Sequence, residues 1–190
     1  MLKLGILISG NGSNLQAIID AIAAGRLDAR IEVVISNKPG AYGLQRAEAA
    51  GIKAITVKPS SFADAADPTH CYNDALRQIL ESCEVDWVVM AGYMKLLGSE
   101  VLDAFPDHVI NLHPALLPSF PGAHAIEEAF AAGVPVTGVT VHIANERFDD
   151  GPILARVEVP VLSDDTLDTL EARIHEAEHK LLPQVLATLH

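Results

Sequence analysis

The sequence predicts an α/β fold built on a mainly parallel, twisted sheet with helices on both faces. Short apolar and β-branched runs alternate along the chain with segments of helical periodicity, which is typical of successive βαβ units. One of these runs, Val85–Met90, is almost entirely apolar. Such a strand is usually buried on both faces, as the strands of parallel sheets are.

Each element is predicted from its local pattern. Strands are expected where apolar residues run together or alternate with polar ones, at Leu4–Ile8, Ile31–Ile35, Ile52–Val57, Val85–Met90, His108–His113, Val136–His142 and Ile153–Val159. Helices are expected where apolar residues recur every three or four positions, at Leu15–Ala24, Tyr42–Ala50, Thr69–Cys83, Gly98–Phe105 and Thr166–Leu189. Glycines close the first two helices, and Pro183 predicts a break or bend in the last one.

Composition narrows the functional classes. The chain has 190 residues with a net charge of −12, and it has no run rich in Lys and Arg, which argues against binding to nucleic acid. No apolar stretch approaches the roughly 20 residues that span a bilayer, and no secretory leader is recognisable. We therefore expect a single cytoplasmic domain over residues 1–190, without a membrane partner. Its apolar helices are compatible with a homodimer but do not decide the matter.

The two cysteines, Cys71 and Cys83, are predicted to be unpaired thiols. A disulfide framework would need more cysteines in a smaller chain. Neither cysteine stands in a zinc-ligand spacing, so the sequence predicts no structural metal.

A glycine-rich turn, Ser9–Asn14, lies between the first strand and the first helix. It departs from the dinucleotide fingerprint, because Leu15 replaces the third glycine and the second strand ends without an acid. It also lacks the G-K-[ST] of a P-loop. Two interpretations stay open: a site for a phosphate monoester, or a plain turn that is capped by Ser13 or Asn14.

Two polar residues stand at the end of the fifth strand. Asn111 and His113 are two positions apart, so their side chains share a face. Pro114 ends the strand, which places both at the carboxyl edge where α/β sheets bind ligands. Three prolines between positions 114 and 122 then predict a stiff loop.

A carboxamide beside an imidazole suits acyl transfer without a covalent intermediate. Asn111 can donate to an oxyanion, and a protonated His113 can donate a second bond and pass on a proton. The pair could equally be polar residues satisfied by the backbone. The sequence has no G-x-S-x-G elbow, which argues against a nucleophilic triad. The spacing of His113, His124 and His142 does not match H-E-x-x-H, which argues against metal ligation by these residues.

An acidic loop, 145–152, follows the strand that carries Thr140 and His142, which share a face. Asp149 and Asp150 precede Gly-Pro, a strong turn signal. The loop is either an Asx-type turn or the source of a carboxylate that reaches His113.

Taken in order, five blocks of the sequence resemble one family. The blocks are Leu7–Ile19, Ser36–Lys38, Ala91–Met94, Asn111–Pro118 and Asp149–Pro152, and they extend over nearly the whole chain. They resemble folate-dependent phosphoribosylglycinamide formyltransferases.

The resemblance implies a single Rossmann-like formyltransferase domain. It implies transfer of a formyl group from 10-formyltetrahydrofolate to the amine of glycinamide ribonucleotide, in purine biosynthesis. It implies no metal. Hydrolysis of the same folate, and formyl transfer to another amine, are the alternatives.

The resemblance also implies roles for individual residues. Asn111 and His113 would be catalytic, and Asp149 would keep His113 protonated. The ribonucleotide would meet Gly12, Ser13, Asn14 and Glu178. The folate would meet Met94, Lys95, Leu96, Leu97, Asn111 and Asn145, and the loop 145–149 would fold over its pterin.

Three positions depart from the family pattern. An arginine that is frequent in the region of residues 67–70 is missing here. Lys95 stands where arginine is common, which changes how the folate tail would be held. Asp150 replaces a frequent glycine, so either aspartate could face His113, and Asp149 is favoured.

Overall fold

Seven strands form one sheet in the described part of the chain, residues 1–147 and 149–189 of a computed structural model. They are β1 (Leu2–Ile8), β2 (Ala29–Ser36), β3 (Ala54–Thr56), β4 (Trp87–Met90), β5 (Val109–His113), β6 (Val136–Ile143) and β7 (Ile153–Pro160). Phe148, within the acidic loop, and His190 lie outside the described residues.

The order of the strands is β3-β2-β1-β4-β5-β6-β7. The first five strands in this order are parallel to one another. β6 pairs antiparallel with both β5 and β7. The predicted, mainly parallel sheet is confirmed. Both faces of β4 are buried, as its apolar sequence indicates.

Six α-helices accompany the sheet within the described residues: α1 (Ser13–Ala23), α2 (Tyr42–Ala49), α3 (Pro68–Ser82), α4 (Ser99–Leu102), α5 (Ala125–Ala131) and α6 (Leu167–Leu186). A 3₁₀ turn at Pro59–Phe62 lies within the irregular stretch before α3. The sequence analysis missed α5.

The predicted break at Pro183 is wrong, because α6 continues through it to Leu186. A proline cannot donate the backbone bond that would reach residue 179, and this one lies at the start of the last turn of the helix, so only three helical residues follow it. Leu182, Val185 and Leu186 are buried around it, so tertiary packing holds the final turn in place.

Helices cover both faces of the sheet, as predicted. On one face, apolar residues of α1, α2, α5 and α6 pack into a core with Leu4, Ile6 and Ile110. On the other face, α3 and α4 pack against Leu7 and Val88. A search of residues 1–147 and 149–189 finds no helix that is long and apolar enough to cross a membrane.

The parallel strands place three loops at one edge of the sheet. β1, β4 and β5 are neighbours and run in the same direction, so the segments after Ile8, Met90 and His113 converge there. The chain's connections turn to opposite sides between β1 and β4, and a crevice forms at such a switch point.

Candidate active site

Four polar side chains meet where β5 pairs with β6. The antiparallel register sets Asn111 opposite His142 and His113 opposite Thr140. Residues directly opposite one another in this way project to the same face of the sheet. His113, Thr140 and His142 are buried, while Asn111 is only partly covered.

Asp149 closes this group from the acidic loop. Its Oδ2 accepts a hydrogen bond from the Gly122 amide at 2.8 Å and lies 3.3 Å from His113 Nδ1. Its Oδ1 accepts from Asn111 Nδ2 at 3.2 Å and lies 3.5 Å from His142 Nε2. The residue has a φ of 52°, a left-handed conformation that aspartate tolerates better than most residues.

Opposing effects set the pKa of Asp149. Burial by itself raises the pKa of this carboxyl. The hydrogen bond with His142, the Gly122 amide and the charge of His113 lower it, and the pKa ends below its ordinary value. The site therefore keeps a negative charge at neutral pH although the side chain is only 6% exposed.

Both ring nitrogens of His113 face oxygen acceptors. Nε2 lies 2.7 Å from the carbonyl oxygen of Phe120, and Nδ1 faces Asp149. A neutral imidazole has one N–H and can satisfy only one of these acceptors, whereas an imidazolium satisfies both. Asp149 and the Phe120 carbonyl therefore hold the His113 ring in one orientation.

Asp150 points away from this group. Its carboxylate lies 3.2 Å from Arg147 Nη1, and both side chains are exposed to solvent. Asp149 is thus the aspartate that faces His113.

Thr140 fixes the proline-rich loop that follows His113. Its hydroxyl donates to the Ala115 carbonyl at 2.7 Å and accepts from the Leu117 amide at 3.1 Å. Arg156 donates to the Leu117 carbonyl from the next strand. The loop that supplies the Phe120 carbonyl and the Gly122 amide is therefore tied to β6 and β7.

A cavity of about 210 Å³ opens beside the Asn111–His113–Asp149 group. The residues that the family resemblance implies for the folate all line it: Met94, Lys95, Leu96, Leu97, Asn111 and Asn145. Most of its surface is apolar, and Met94 is 64% exposed at its rim. Lys95 Nζ lies 5.4 Å from the centre of the Tyr72 ring, which is a cation–π contact.

A second cavity, of about 450 Å³, lies along the glycine-rich turn. Gly12, Ser13, Asn14 and Glu178 all line it. The two cavities share Gly92, Met94, Leu112, Pro114 and Ala123. The Asn111–His113–Asp149 group therefore lies close to the place where the two cavities meet.

The structure excludes a side-chain cap on α1. The helix begins after Gly12, which has a φ of 73°, and no side chain bonds to its free N–H groups. Asn14 Nδ2 instead donates to Glu178 Oε2 at 2.9 Å, and Asn14 Oδ1 has no partner among the described residues. The interpretation of a turn capped by Ser13 or Asn14 is therefore wrong, and the N–H groups remain open to an anion.

The second cavity also contains positive side chains. Lys38 and His175 line it. His175 Nδ1 lies 2.8 Å from Glu178 Oε2, and Nε2 lies 3.4 Å from Glu171. The hydrogen bond with Glu178 raises the pKa of His175, and burial opposes it without cancelling it.

The family model described as formyl transferase matches residues 2–186. The chain belongs to the formyl transferase family. The resemblance that the sequence indicates is confirmed, and the chain is that of an enzyme.

Two relatives are similar to this formyl transferase over its whole length. The phosphoribosylglycinamide formyltransferase of Bacillus subtilis (strain 168) is 40% identical over 189 residues, covering 100% of this chain and 95% of the relative. That of Haemophilus influenzae is 40% identical over 186 residues, covering 98% of this chain and 86% of the relative.

Solved structures are similar as well. The crystal structure of glycinamide ribonucleotide transformylase 1 from Symbiobacterium toebii has a TM-score of 0.94 and 42% identity, covering 98% of this chain and 86% of that one. The phosphoribosylglycinamide formyltransferase of Bacillus halodurans has a TM-score of 0.93 and 39% identity, covering 97% and 93%. The predicted fold class is confirmed.

The sequence analysis missed some residues of this formyl transferase's cavities. Lys38 was noticed only within a matching block, and His175 was not singled out, because a lone His on an amphipathic helix carries no signal of its own. α5 contributes Ala125, Ile126 and Glu127 to the second cavity. Its apolar pairs 125/126 and 129/130 are four residues apart, a helical spacing that could have revealed it.

The segment that lacks the family's arginine has another role here. Asp67 caps α3 by accepting from the His70 amide, and His70 pairs with Glu100. Residues 67–70 line neither cavity. No group of three or more His, Cys, Asp or Glu side chains placed to hold a metal ion is found among residues 1–147 and 149–189.

Proposed function

We propose that this formyl transferase moves the formyl group of 10-formyltetrahydrofolate to the amine of glycinamide ribonucleotide, a step of de novo purine biosynthesis in the cytoplasm. The observation that carries the proposal is the Asn111–His113–Asp149 group at the junction of an apolar cavity and an anion-suited cavity. The names of relatives about 40% identical support it. The proposal treats residues 1–190 as one formyltransferase domain.

The first cavity fits a folate. Its lining is mainly apolar with a few polar groups, the composition expected of a site for a flat heterocycle. Met94 and Leu96 are exposed at its mouth, whereas Leu97 is buried beneath. The bound folate supplies the formyl carbon, and Asn145 and the loop after it would close over the ring.

The second cavity fits a sugar phosphate. The open N–H groups at Gly12, Ser13 and Asn14 would hold the phosphate, because a helix N-terminus favours negative charge. Lys38 and protonated His175 would add positive charge. Glu178, whose Oε2 already accepts from Asn14 and faces His175, would accept from a ribose hydroxyl with its other oxygen.

The catalytic group would then assist direct transfer. The acceptor amine attacks the formyl carbon, and the bond from that carbon to the folate nitrogen breaks. Asn111 Nδ2 would donate to the developing oxyanion, and one N–H of His113 would leave its present acceptor to donate a second bond. Asp149 balances the charge of His113. Protonated His113 gives one proton to the departing nitrogen, and the proton that the attacking amine loses then restores the imidazolium.

A transfer assay tests the proposal. The purified chain is incubated with 10-formyltetrahydrofolate, with and without glycinamide ribonucleotide, and tetrahydrofolate and formylated ribonucleotide are measured. We expect tetrahydrofolate only when the ribonucleotide is present. His113→Ala and Asn111→Ala should each lower kcat about 10²- to 10³-fold, the cost of removing an oxyanion donor.

Other outcomes would contradict the proposal. Tetrahydrofolate and formate without an acceptor would identify a hydrolase. Transfer to another amine but not to the ribonucleotide would change the acceptor. Near-normal turnover in a folded His113→Ala variant would contradict the proposed mechanism.

A further inference from the structure

Arg46, in the last turn of α2, contacts the glycine-rich turn. Its Nε donates to the Asn11 carbonyl at 3.0 Å, and its Nη2 donates to Asn11 Oδ1 at 3.0 Å. Its Nη1 donates to Gln16 Oε1 at 3.2 Å, on the first helix beyond the turn. The guanidinium also lies 4.8 Å from the centre of the Tyr42 ring.

Each arm of the guanidinium therefore has a defined partner. Charge-assisted bonds of this kind are stronger than neutral ones, and a planar fork fixes direction as well as distance. The bonds to Asn11 and Gln16 flank the positions whose N–H groups open into the second cavity. Arg46 thus joins the two ends of the turn.

α2 also approaches the turn through its backbone. The Gly43 amide donates to the Gly10 carbonyl at 3.1 Å. A Cβ at Gly12 would lie only 2.6 Å from Gly43 Cα. The start of α2 is therefore packed directly on the turn, and Arg46 extends that contact along one helical turn.

Arg46 is not itself placed to meet a ligand of the second cavity. It borders a separate surface depression with Ser13, Gln16 and Asp20, behind the turn. Residues that line the second cavity include Ser13 but not Arg46. Its effect on a bound phosphate must therefore pass through the turn.

We propose that Arg46 is a positioning residue that sets the phosphate-binding geometry of the glycine-rich turn. The inference rests on the proposed function, because it takes the acceptor's phosphate to lie at Gly12–Asn14. Without the fork, Asn11 can rotate and the N–H groups behind it lose their common direction. Turnover of bound substrates depends on the group at β5 and should change little.

The test compares the variants Arg46→Gln and Arg46→Lys with the wild type. Arg77→Gln is the matched control, since it also removes a partly buried arginine whose guanidinium makes three side-chain hydrogen bonds on a helix surface. Binding of ribose 5-phosphate is measured by calorimetry, and KM for both substrates and kcat are measured by transfer. Binding does not require transfer, so it can be read independently of the reaction.

Arg46→Gln should weaken ribose 5-phosphate binding and raise KM for the ribonucleotide about 10- to 100-fold, since small misplacements cost this much. KM for the folate and kcat at saturation should stay within about threefold. Arg46→Lys keeps the charge but not the fork, so it should remain impaired. Arg77→Gln should match the wild type.

Three results would overturn the inference. If the wild type binds ribose 5-phosphate tightly and Arg46→Gln binds it equally well, the inference about Arg46 is rejected and the proposed function is not affected. Full recovery in Arg46→Lys would assign the effect to charge rather than to geometry. If the wild type binds no ribose 5-phosphate, the acceptor site in the proposed function fails, and the inference falls with it.

Discussion

Asn111 Nδ2 has two partners within the site. It donates to Asp149 Oδ1 at 3.2 Å and lies 3.2 Å from His142 Nε2. The other ring nitrogen of His142, Nδ1, lies 3.0 Å from the Ile143 carbonyl oxygen. In the proposed mechanism, a formyl oxygen would compete with Asp149 for the carboxamide, and contacts of 3.2 Å allow that exchange.

The two neighbouring aspartates give a matched prediction at this scale. Asp149→Asn removes the charge beside His113 and should lower kcat at least about 10²-fold. Asp150→Asn removes only an exposed partner of Arg147 and should leave kcat within about threefold. Steady-state kinetics at pH 7 on both variants make the comparison.

The low pKa of Asp149 adds a condition to that prediction. Because the folded pKa lies below the ordinary value of about 3.9, Asp149 stays ionised from neutral pH down to about pH 4. Its own titration should therefore cause no loss of wild-type activity above that pH. Equal losses in the Asp149 and Asp150 variants would contradict the assignment of Asp149.

At the scale of elements, local patterns predicted most of the sheet. The run that ends at His113 was recognised because its apolar residues and terminal proline are local signals. The direction of β6 and β7 was not recognised, since strand direction depends on which partner is met in space. The Asn111–His113 pair was predicted from the same local signals. Which aspartate faces His113 stayed open in the sequence, although Asp149 was favoured, because it depends on how the acidic loop folds.

Contacts between elements far apart in the chain left no local trace. Arg46 reads as an ordinary residue of an amphipathic helix until α2 is seen packed on the glycine-rich turn. At Pro183 the local signal predicted a break, but the packing of the last turn keeps the helix continuous to Leu186. The sequence therefore predicted the proximity of Asn111, His113 and Asp149 better than it predicted the residues that pack around the glycine-rich turn.

The close approach of α2 and the glycine-rich turn gives a prediction for these elements. Gly12→Ala puts a Cβ 2.6 Å from Gly43 Cα at a φ of 73°, so the turn and α2 must separate. We expect the free energy of unfolding to fall by about 1–3 kcal/mol. Ribose 5-phosphate binding should fall with it. Urea unfolding and calorimetry measure the two effects.

Gly10 supplies the control in the same turn. A Cβ at Gly10 would meet no atom within 4 Å, and its backbone is not left-handed. Gly10→Ala should therefore keep the wild-type stability to within about 0.5 kcal/mol. Similar losses in Gly10→Ala and Gly12→Ala would refute the idea that contact with α2 shapes the turn.

At the scale of the whole molecule, α6 ties the antiparallel end of the sheet to the site. It carries Glu178 and His175 at the second cavity, and it is anchored at its start by Asp165. Asp165 accepts two bonds of 2.7 Å from Arg173, one of 2.7 Å from the Leu162 amide and one from Thr169. The bond with Arg173 is the largest of the effects that hold the pKa of Asp165 well below its ordinary value.

This anchor predicts how acid weakens the fold. The folded pKa lies below the unfolded value of about 3.9, so the stabilisation is complete above that value and is lost as pH falls through the folded pKa. Wild-type stability should thus decline below about pH 4. Asp165→Asn should be less stable at pH 7, and its stability should decline less steeply as the pH falls.

The neighbouring, exposed Asp164 provides the control, and Asp164→Asn should follow the wild type. Urea unfolding at a series of pH values from 7 to 3 measures these slopes. Because Asp165 lines neither substrate cavity, kcat at pH 7 should be retained in the folded variant. If Asp165→Asn and the wild type lose stability in parallel below pH 4, the acid sensitivity lies elsewhere and the anchor is not what acid releases.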